Sequence, residues 1–301
     1  MFNVFKSKKA LRLYGITVLA AAFSCVVLRL ISTMFFFDGD IAYYQTGAVL
    51  PIITNVIMAL TAIGAIVFCL ISKVSVEPNM PVETKVTRIA SIIDAVGFAV
   101  FGMIYVTSLT QYSNIYGSIP TTYLLCAVCT FGACAFFALK ALRASNADIL
   151  YVLTGILVAV WLVLELAECY FDTFIPMNSP LKLTFEFACL GALLLTVNEM
   201  RVGLDQKRRG FHLFAATVAS VFLPTSAIPS IICYLSGDMP ASYVLVYSDL
   251  VMLGISVLAV ARLVQLCFYE QAEPTESETE IQDSDEEQIE EQSSDSAEVQ
   301  E

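Results

Sequence analysis

The chain is a succession of eight long apolar runs separated by short polar segments. Each run has the length of α-helix, roughly 20 residues, that crosses the ~30 Å hydrocarbon core of a bilayer. The runs are continuously apolar, whereas a strand of a membrane barrel would alternate apolar and polar positions. We therefore predict an all-α, polytopic integral membrane protein with transmembrane helices at approximately residues 11–35, 46–72, 89–110, 120–142, 149–171, 180–200, 211–235 and 241–268.

Composition agrees with this class and divides the chain into three parts. Hydrophobic residues make up 57% and charged residues 15%, against about 45–50% and 25% in a soluble domain. Residues 270–301 contain 14 of the 28 acidic residues and no basic residue, which leaves 14 acidic against 16 basic residues elsewhere. We predict a basic amino-terminal segment at 1–10, a bundle in the lipid bilayer at 11–268, and a disordered acidic tail at 269–301.

The basic residues predict the orientation of the bundle. If the amino terminus is cytoplasmic, 14 of the 16 lysines and arginines fall at cytoplasmic helix ends, and only Arg29 and Lys182 fall outside. Both termini are then cytoplasmic. The loops are short, so chemistry must lie within the bundle or at its rims. Compact loops and a basic segment leading into the first helix favour a bacterial plasma membrane.

A polar stripe ends the fifth apolar run, in the stretch VLELAECYFD at 163–172. Trp161, Glu165, Glu168 and Asp172 are spaced by four, three and four residues, so they share one face of the helix. Charged groups inside membrane spans usually face the bundle interior or a wet cavity. The stripe is therefore the first candidate for a functional site.

Other charges lie at a similar depth on other helices. With a rise of about 1.5 Å per residue, Arg29, Glu165 and Glu186 are each roughly 9 Å, and Asp249 roughly 13 Å, from the outer end of their helix. In one interpretation these residues are structural ion pairs, with Arg29 bound to Glu165 or Glu186 and Lys182 bound to Glu186.

In the other interpretation the same layer is an outward-facing acidic pocket. Glu165, Glu186 and Asp249 would then bind a small cationic or polar solute, and Trp161 would form an aromatic wall, because cations are attracted to aromatic faces. Arg29 would supply the internal counter-ion.

The seventh run contains LPTSAIPS at 223–230, with Pro224 and Pro229 inside the span. Each proline removes one backbone hydrogen bond, so we expect a kink or break there, and a hinge if the helix lines a transport site. Proline kinks are also ordinary features of membrane helices.

Asp94, near the cytoplasmic end of the third run, is a candidate for an inner gate or for a structural network with Glu199 and Arg201. Cys126 and Cys129 have the spacing of a metal-binding pair, but no second pair accompanies them, so we interpret them as packing residues. His212, the single histidine, has no nucleophile to serve.

The sequence contains no GxSxG, HExxH, P-loop or dinucleotide fingerprint, so an enzyme is not favoured and no cofactor, metal or nucleic-acid partner is expected. The leading hypothesis is a permease-like protein for a small cationic or polar solute. The alternative is a non-transporting sensor or assembly subunit whose acidic tail engages a cytoplasmic partner.

Overall fold

The computed structural model describes residues 8–38, 43–71, 84–117, 121–142, 149–171, 176, 179–204, 209–237 and 246–268. Within these ranges eight helices are long and apolar enough to cross a membrane, as the sequence predicts. They are α1 Lys8–Phe36, α2 Leu50–Ile71, α3 Lys85–Tyr116, α4 Thr121–Leu142, α5 Ile149–Phe171, α6 Pro180–Gly203, α7 Arg209–Ser236 and α8 Val246–Phe268. A short antiparallel ladder joins β1, Phe37–Asp38, to β2, Tyr43–Tyr44. Asp172 and the segments 1–7 and 269–301 lie outside the described residues.

Both ends of α3 differ from the predicted boundaries, and local backbone chemistry explains the differences. This helix begins four residues earlier than predicted, because Thr84 and Thr87 form a reciprocal capping box at its start. It ends at Tyr116 and is capped by Gly117, whose φ of 73° lies in the left-handed region that glycine adopts without penalty. Apolarity sets the length of a span, whereas capping residues set its ends.

Helices α7 and α8 occupy the centre of the bundle. Helix α7 packs against α1, α2, α6 and α8, and α8 also packs against α3 and α1. Helices α3, α4, α5, α6 and α8 close a ring through the pairs α3–α4, α4–α5, α5–α6, α6–α8 and α8–α3. Helix α2 is the least buried span and exposes large apolar side chains such as Leu60 and Leu70. Such a surface is suited to lipid, and the protein is a multi-pass helical membrane protein.

Contacts between helix ends show that successive helices run in opposite directions. Tyr14, near the start of α1, bonds Thr217 in the first half of α7, and Cys69, near the end of α2, bonds the carbonyl of Gly210 at the start of α7. At the other end of the bundle, Arg29 of α1 bonds the carbonyl of Pro180, where α6 begins. The bundle therefore has two faces. The basic face, where the odd-numbered helices begin, carries Lys9, Arg12, Lys85, Arg88, Lys140, Arg201, Arg209 and Arg262.

Aromatic side chains fill the middle of the ring. Phe98 of α3 lies between Trp161 of α5, with ring centroids 4.9 Å apart, and Phe137 of α4, at 5.4 Å. Phe101 packs edge-on against the same indole at 6.1 Å, and all four side chains are buried. Edge-to-face and offset arrangements at these distances stabilise aromatic clusters. We call Phe98, Phe101, Phe137 and Trp161 the aromatic layer; it separates polar groups on the two faces.

Candidate functional site

A cavity of about 240 Å³ opens between α3, α4, α5 and α8 on the side of the aromatic layer away from the basic face. Its wall includes the exposed rings of Tyr123 and Tyr247, so it reaches the surface. Among the described residues, no lysine or arginine contributes to the lining. The lining residues of this Glu165 cavity are Phe101, Ile104, Tyr105, Ser108, Leu109, Tyr123, Glu165, Glu168, Tyr247 and Ser248.

Glu165 is the most buried acid of the cavity, with 2% of its surface exposed. Its Oε2 accepts a hydrogen bond of 2.6 Å from the hydroxyl of Ser248 on α8, and it forms no ion pair with a described residue. Helices α5 and α8 are not close-packed neighbours in the ring, so this bond spans the gap in which the cavity lies. Glu168, one turn further along α5, is half-buried and also lines the cavity.

Trp161 lies one layer behind the cavity. It is fully buried, its Nε1 has no hydrogen-bond partner among the described residues, and Phe101 stands between the indole and the cavity. Phe101 and the tyrosines, which periodicity did not single out, are the aromatic groups that line the space.

Glu186 and Asp249 do not line the cavity. Glu186 is half-buried on α6, and Asp249 is fully buried on α8 next to Ser248. Both lie close enough to the thiol of Cys189, a buried residue of α6, to interact with it electrostatically, as Glu165 also does. Three helices thus contribute carboxyl groups to one region beside the cavity.

Arg29 lies apart from these carboxyl groups. Its guanidinium donates to the carbonyl of Pro180 at 2.8 Å and to the hydroxyl of Thr184, and no carboxylate of the described residues pairs with it. The group also lies 5.2 Å from the ring centroid of Tyr44, whose pKa is raised by burial, so the ring is a neutral phenol. Helix α1 packs on α2, α7 and α8 and not on α5, which keeps Arg29 away from Glu165.

Pro224 and Pro229 lie inside α7, which continues through both as one helix; no break occurs. The residue after each proline donates its hydroxyl to the carbonyl one turn earlier: Thr225 to Val221 at 2.6 Å and Ser230 to Ser226 at 3.0 Å. Each accepting carbonyl lies three residues before a proline, where the backbone ladder is weakened. The carbonyls that lose a backbone donor to the prolines are those of Ser220 and Thr225, one residue earlier, so the two hydroxyls reinforce the weakened turns without replacing the missing bonds.

A second polar cluster lies near the basic face, centred on Glu199 of α6. Arg262 of α8 donates from Nε to Oε1 at 2.7 Å and from Nη2 to Oε2 at 2.9 Å, the bidentate geometry of a strong pair. Lys140 of α4 pairs with Oε2, and Nε2 of His212 on α7 lies 3.0 Å from Oε1. All four side chains are at most 3% exposed, so the Glu199 cluster ties four helices together inside the bundle.

The predicted network of Asp94, Glu199 and Arg201 is therefore wrong in two of its members, Asp94 and Arg201. The guanidinium of Arg201 lies over the ring of Phe211 at 5.3 Å. Asp94 is within electrostatic range of Lys140, but neither of its carboxyl oxygens has a hydrogen-bond partner in the described part of the chain. The sequence contained a signal for this cluster. Lys140, Glu199 and Arg262 all lie inside apolar runs, within a few helical turns of the basic face, so a comparison of their depths would have grouped them.

No group of three or more histidine, cysteine, aspartate or glutamate side chains suited to a metal ion occurs within the described ranges. All nine cysteines are free thiols, and Cys126 and Cys129 are buried on α4. Comparison with protein-family models, with curated proteins and with solved structures finds no match to this chain.

Proposed function

We propose that this membrane protein is a permease-like carrier that binds a small cationic solute in the Glu165 cavity and moves it across the bilayer. The proposal depends on one observation: the buried carboxyl group of Glu165 lines a cavity whose described lining contains no basic residue. A buried acid whose hydrogen-bond partner is a serine hydroxyl can interact strongly with a ligand cation, because no described lysine or arginine lines the cavity to compete with it.

The rest of the lining favours an organic cation over a bare metal ion. Tyr105, Tyr123 and Tyr247 offer aromatic faces to a positive group, and Phe101 and Ile104 offer apolar surface to its carbon atoms. The cavity of about 240 Å³ is smaller than the roughly 300–1,000 Å³ of sites for drug-sized ligands. A small amine or quaternary ammonium ion suits both its size and its chemistry.

The remaining residues of the predicted site take supporting roles in this proposal. Trp161 holds Phe101 in place beneath the solute, and Glu186 and Asp249 add to the negative field beside the cavity. Arg29 anchors the start of α6 as a fixed positive charge. Passage requires the aromatic layer to open, and Pro224 and Pro229 would allow α7 to bend as it does so. The basic face is taken as cytoplasmic, in a plasma membrane.

The test is binding of trimethylammonium, benzylammonium and agmatine to the purified full-length protein by titration calorimetry. We expect at least one of them to bind, and Glu165→Gln to weaken it by roughly tenfold to a hundredfold, as for loss of a charged hydrogen bond of about 1.5–3 kcal/mol. Thermal stability should change little, because Glu165 bonds only Ser248 within the described structure. Uptake of the binding amine into vesicles containing the protein then measures transport.

The matched control is Glu186→Gln, which removes a carboxylate of the same depth that does not line the cavity. It should weaken amine binding far less than Glu165→Gln does, because Glu186 contributes only to the field beside the cavity and does not line it. A parent protein that binds none of the three amines, together with marked destabilisation by Glu165→Gln, would contradict the proposal. That result would favour the alternative, a non-transporting sensor or assembly subunit whose acidic tail engages a cytoplasmic partner.

A further inference from the structure

Asp94 is buried in α3 in an environment that offers its carboxyl group no hydrogen bond. It is 2% exposed, and neither oxygen has a partner among the described residues. The group lies directly against the backbone of α8 at Gly254, where a Cβ atom would come within 2.5 Å of Oδ1. An ionised carboxylate would lose its hydration here without replacement, which is strongly unfavourable. In this arrangement Asp94 is therefore the neutral, protonated acid.

The basic side chain that interacts electrostatically with Asp94 already pairs with another acid. Lys140 of α4 is within electrostatic range of Asp94 but pairs with Glu199. Other charged groups on the helices packed around Asp94 lie nearer the ends of the spans or are bonded to Glu199. On the described parts of α3, α4 and α8 these are Lys85, Arg88, Asp249 and Arg262.

Glu199 has partners other than Lys140. Arg262 also pairs with Glu199, so this carboxylate has a second basic partner besides Lys140. If Lys140 left, Glu199 would keep both bonds to Arg262 and its contact with His212. An ionised Asp94 would balance Lys140 at its new position. Two arrangements are therefore available, and one proton on Asp94 distinguishes them.

We infer that Asp94 is a proton-binding site that controls whether Lys140 pairs with Glu199 on α6 or with Asp94 on α3, and that the proton is the ion coupled to solute movement. The naming of the coupling ion rests on the proposed transport function; the exchange of Lys140 does not. On deprotonation the proton passes from the Asp94 carboxyl group to water at the basic face.

The exchange changes which helices are tied together. Helices α3 and α4 already pack side by side, whereas α4 and α6 lie on either side of α5 in the ring. The Lys140–Glu199 pair therefore closes the ring at the basic face, and a Lys140–Asp94 pair would release that closure. Phe98 lies one turn from Asp94 on the same face of α3, so movement there reaches the aromatic layer. Protonation of Asp94 closes the basic face while the Glu165 cavity is open on the other.

The protonation state is measured by infrared difference spectroscopy on the full-length protein in lipid, across acidic to alkaline pH. We expect a carbonyl band of a protonated carboxylic acid that disappears at alkaline pH and is missing from Asp94→Asn. Glu165→Gln is the control, because it removes a second buried acid, on α5, and should leave the Asp94 band in place. The inference is overturned if the wild-type spectrum shows no protonated-acid band, or shows only the band that is lost in Glu165→Gln. This criterion applies even if Asp94→Asn does not fold.

The helix exchange is measured by the distance between spin labels at Leu142→Cys and Leu204→Cys. These positions are 83% and 50% exposed at the basic-face ends of α4 and α6. The distance should lengthen at alkaline pH, and the lengthening should be lost in Asp94→Asn, where the amide imitates the neutral acid. Equal pH dependence in the two proteins, or none in the parent, overturns the exchange.

Amine binding to the same samples separates this inference from the proposed function. If an amine binds through Glu165 but Asp94→Asn changes neither the spectrum nor the distances, the proton inference fails alone. If the distances respond through Asp94 but no amine binds, the proposed solute fails and the proton site stands.

Discussion

Glu199 brings three buried basic side chains of the described bundle together. Its carboxylate forms ion pairs with Arg262 and Lys140 and contacts the imidazole of His212. None of these side chains is more than 3% exposed. Buried ion pairs stabilise little over apolar packing, but removing one partner leaves the others charged and dry. Glu165 differs, since a serine hydroxyl is its partner and a cavity adjoins it.

At the residue scale we expect Glu199→Gln to lower the free energy of unfolding by about 3–5 kcal/mol, because Lys140 and Arg262 lose their counter-charge inside the bundle. Denaturation of the purified protein, followed by helical circular dichroism, measures the loss. Glu186→Gln, at a half-buried position, is the control and should cost under about 1 kcal/mol. Equal stability of the two variants would show that water reaches the Glu199 cluster.

At the element scale, close approach between helices decides the packing of the ring. Gly132 of α4 faces Leu157 of α5, and a Cβ atom at 132 would lie 2.7 Å from the Cβ of that leucine. Small residues at helix interfaces let membrane helices approach closely. By contrast, Gly97 of α3 has no atom within 4 Å of such a Cβ.

Gly132→Ala should therefore destabilise the protein by about 1–3 kcal/mol, since the α4–α5 interface must separate or Leu157 must leave its rotamer. Gly97→Ala is the matched control and should be neutral or slightly stabilising, because alanine favours the helix and meets open space. Thermal melts of both variants beside the parent test this contrast. Identical shifts in melting temperature would mean that the interface yields without penalty.

At the scale of the whole molecule, two polar sites lie on either side of the aromatic layer. Asp94, Phe98, Phe101 and Tyr105 follow one another on one face of α3 at spacings of four, three and four. From Asp94 to Tyr105 this face covers roughly 16 Å along the helix axis. The same helix thus connects the Glu165 cavity to the Glu199 cluster, with aromatic side chains between them.

The orientation of the molecule is tested by fusing alkaline phosphatase, which folds only where its disulfides form, to the carboxyl terminus. If the basic face is cytoplasmic, the fusion should be inactive, because α8 ends at that face. The same enzyme fused after Gly117, at the opposite end of α3, should be active. Activity of the first fusion and silence of the second would reverse the proposed orientation.

The sequence alone determined the number and approximate limits of the spans. Lipid offers no hydrogen bonds to the backbone, so each crossing must be an apolar helix of about 20 residues. Such a run can be recognised in the sequence without knowing which helices it packs against. The same logic marked Glu165, Asp94 and Glu199 as polar groups at membrane depth. The ends of α3 escaped it, since capping hydrogen bonds do not depend on apolarity.

The tertiary structure decided which polar groups meet. Arg29 and Glu165 have matching depths, yet α1 and α5 are not neighbours, so the carboxyl group meets Ser248 and the guanidinium meets Thr184. Likewise Glu199 meets Lys140 and Arg262, which lie 59 and 63 residues away along the chain. Depth in the membrane is fixed by position within one helix, whereas contact depends on the order of helices around the ring. That order arises from side-chain packing between helices, and the apolar pattern does not distinguish one helix from another as a packing partner.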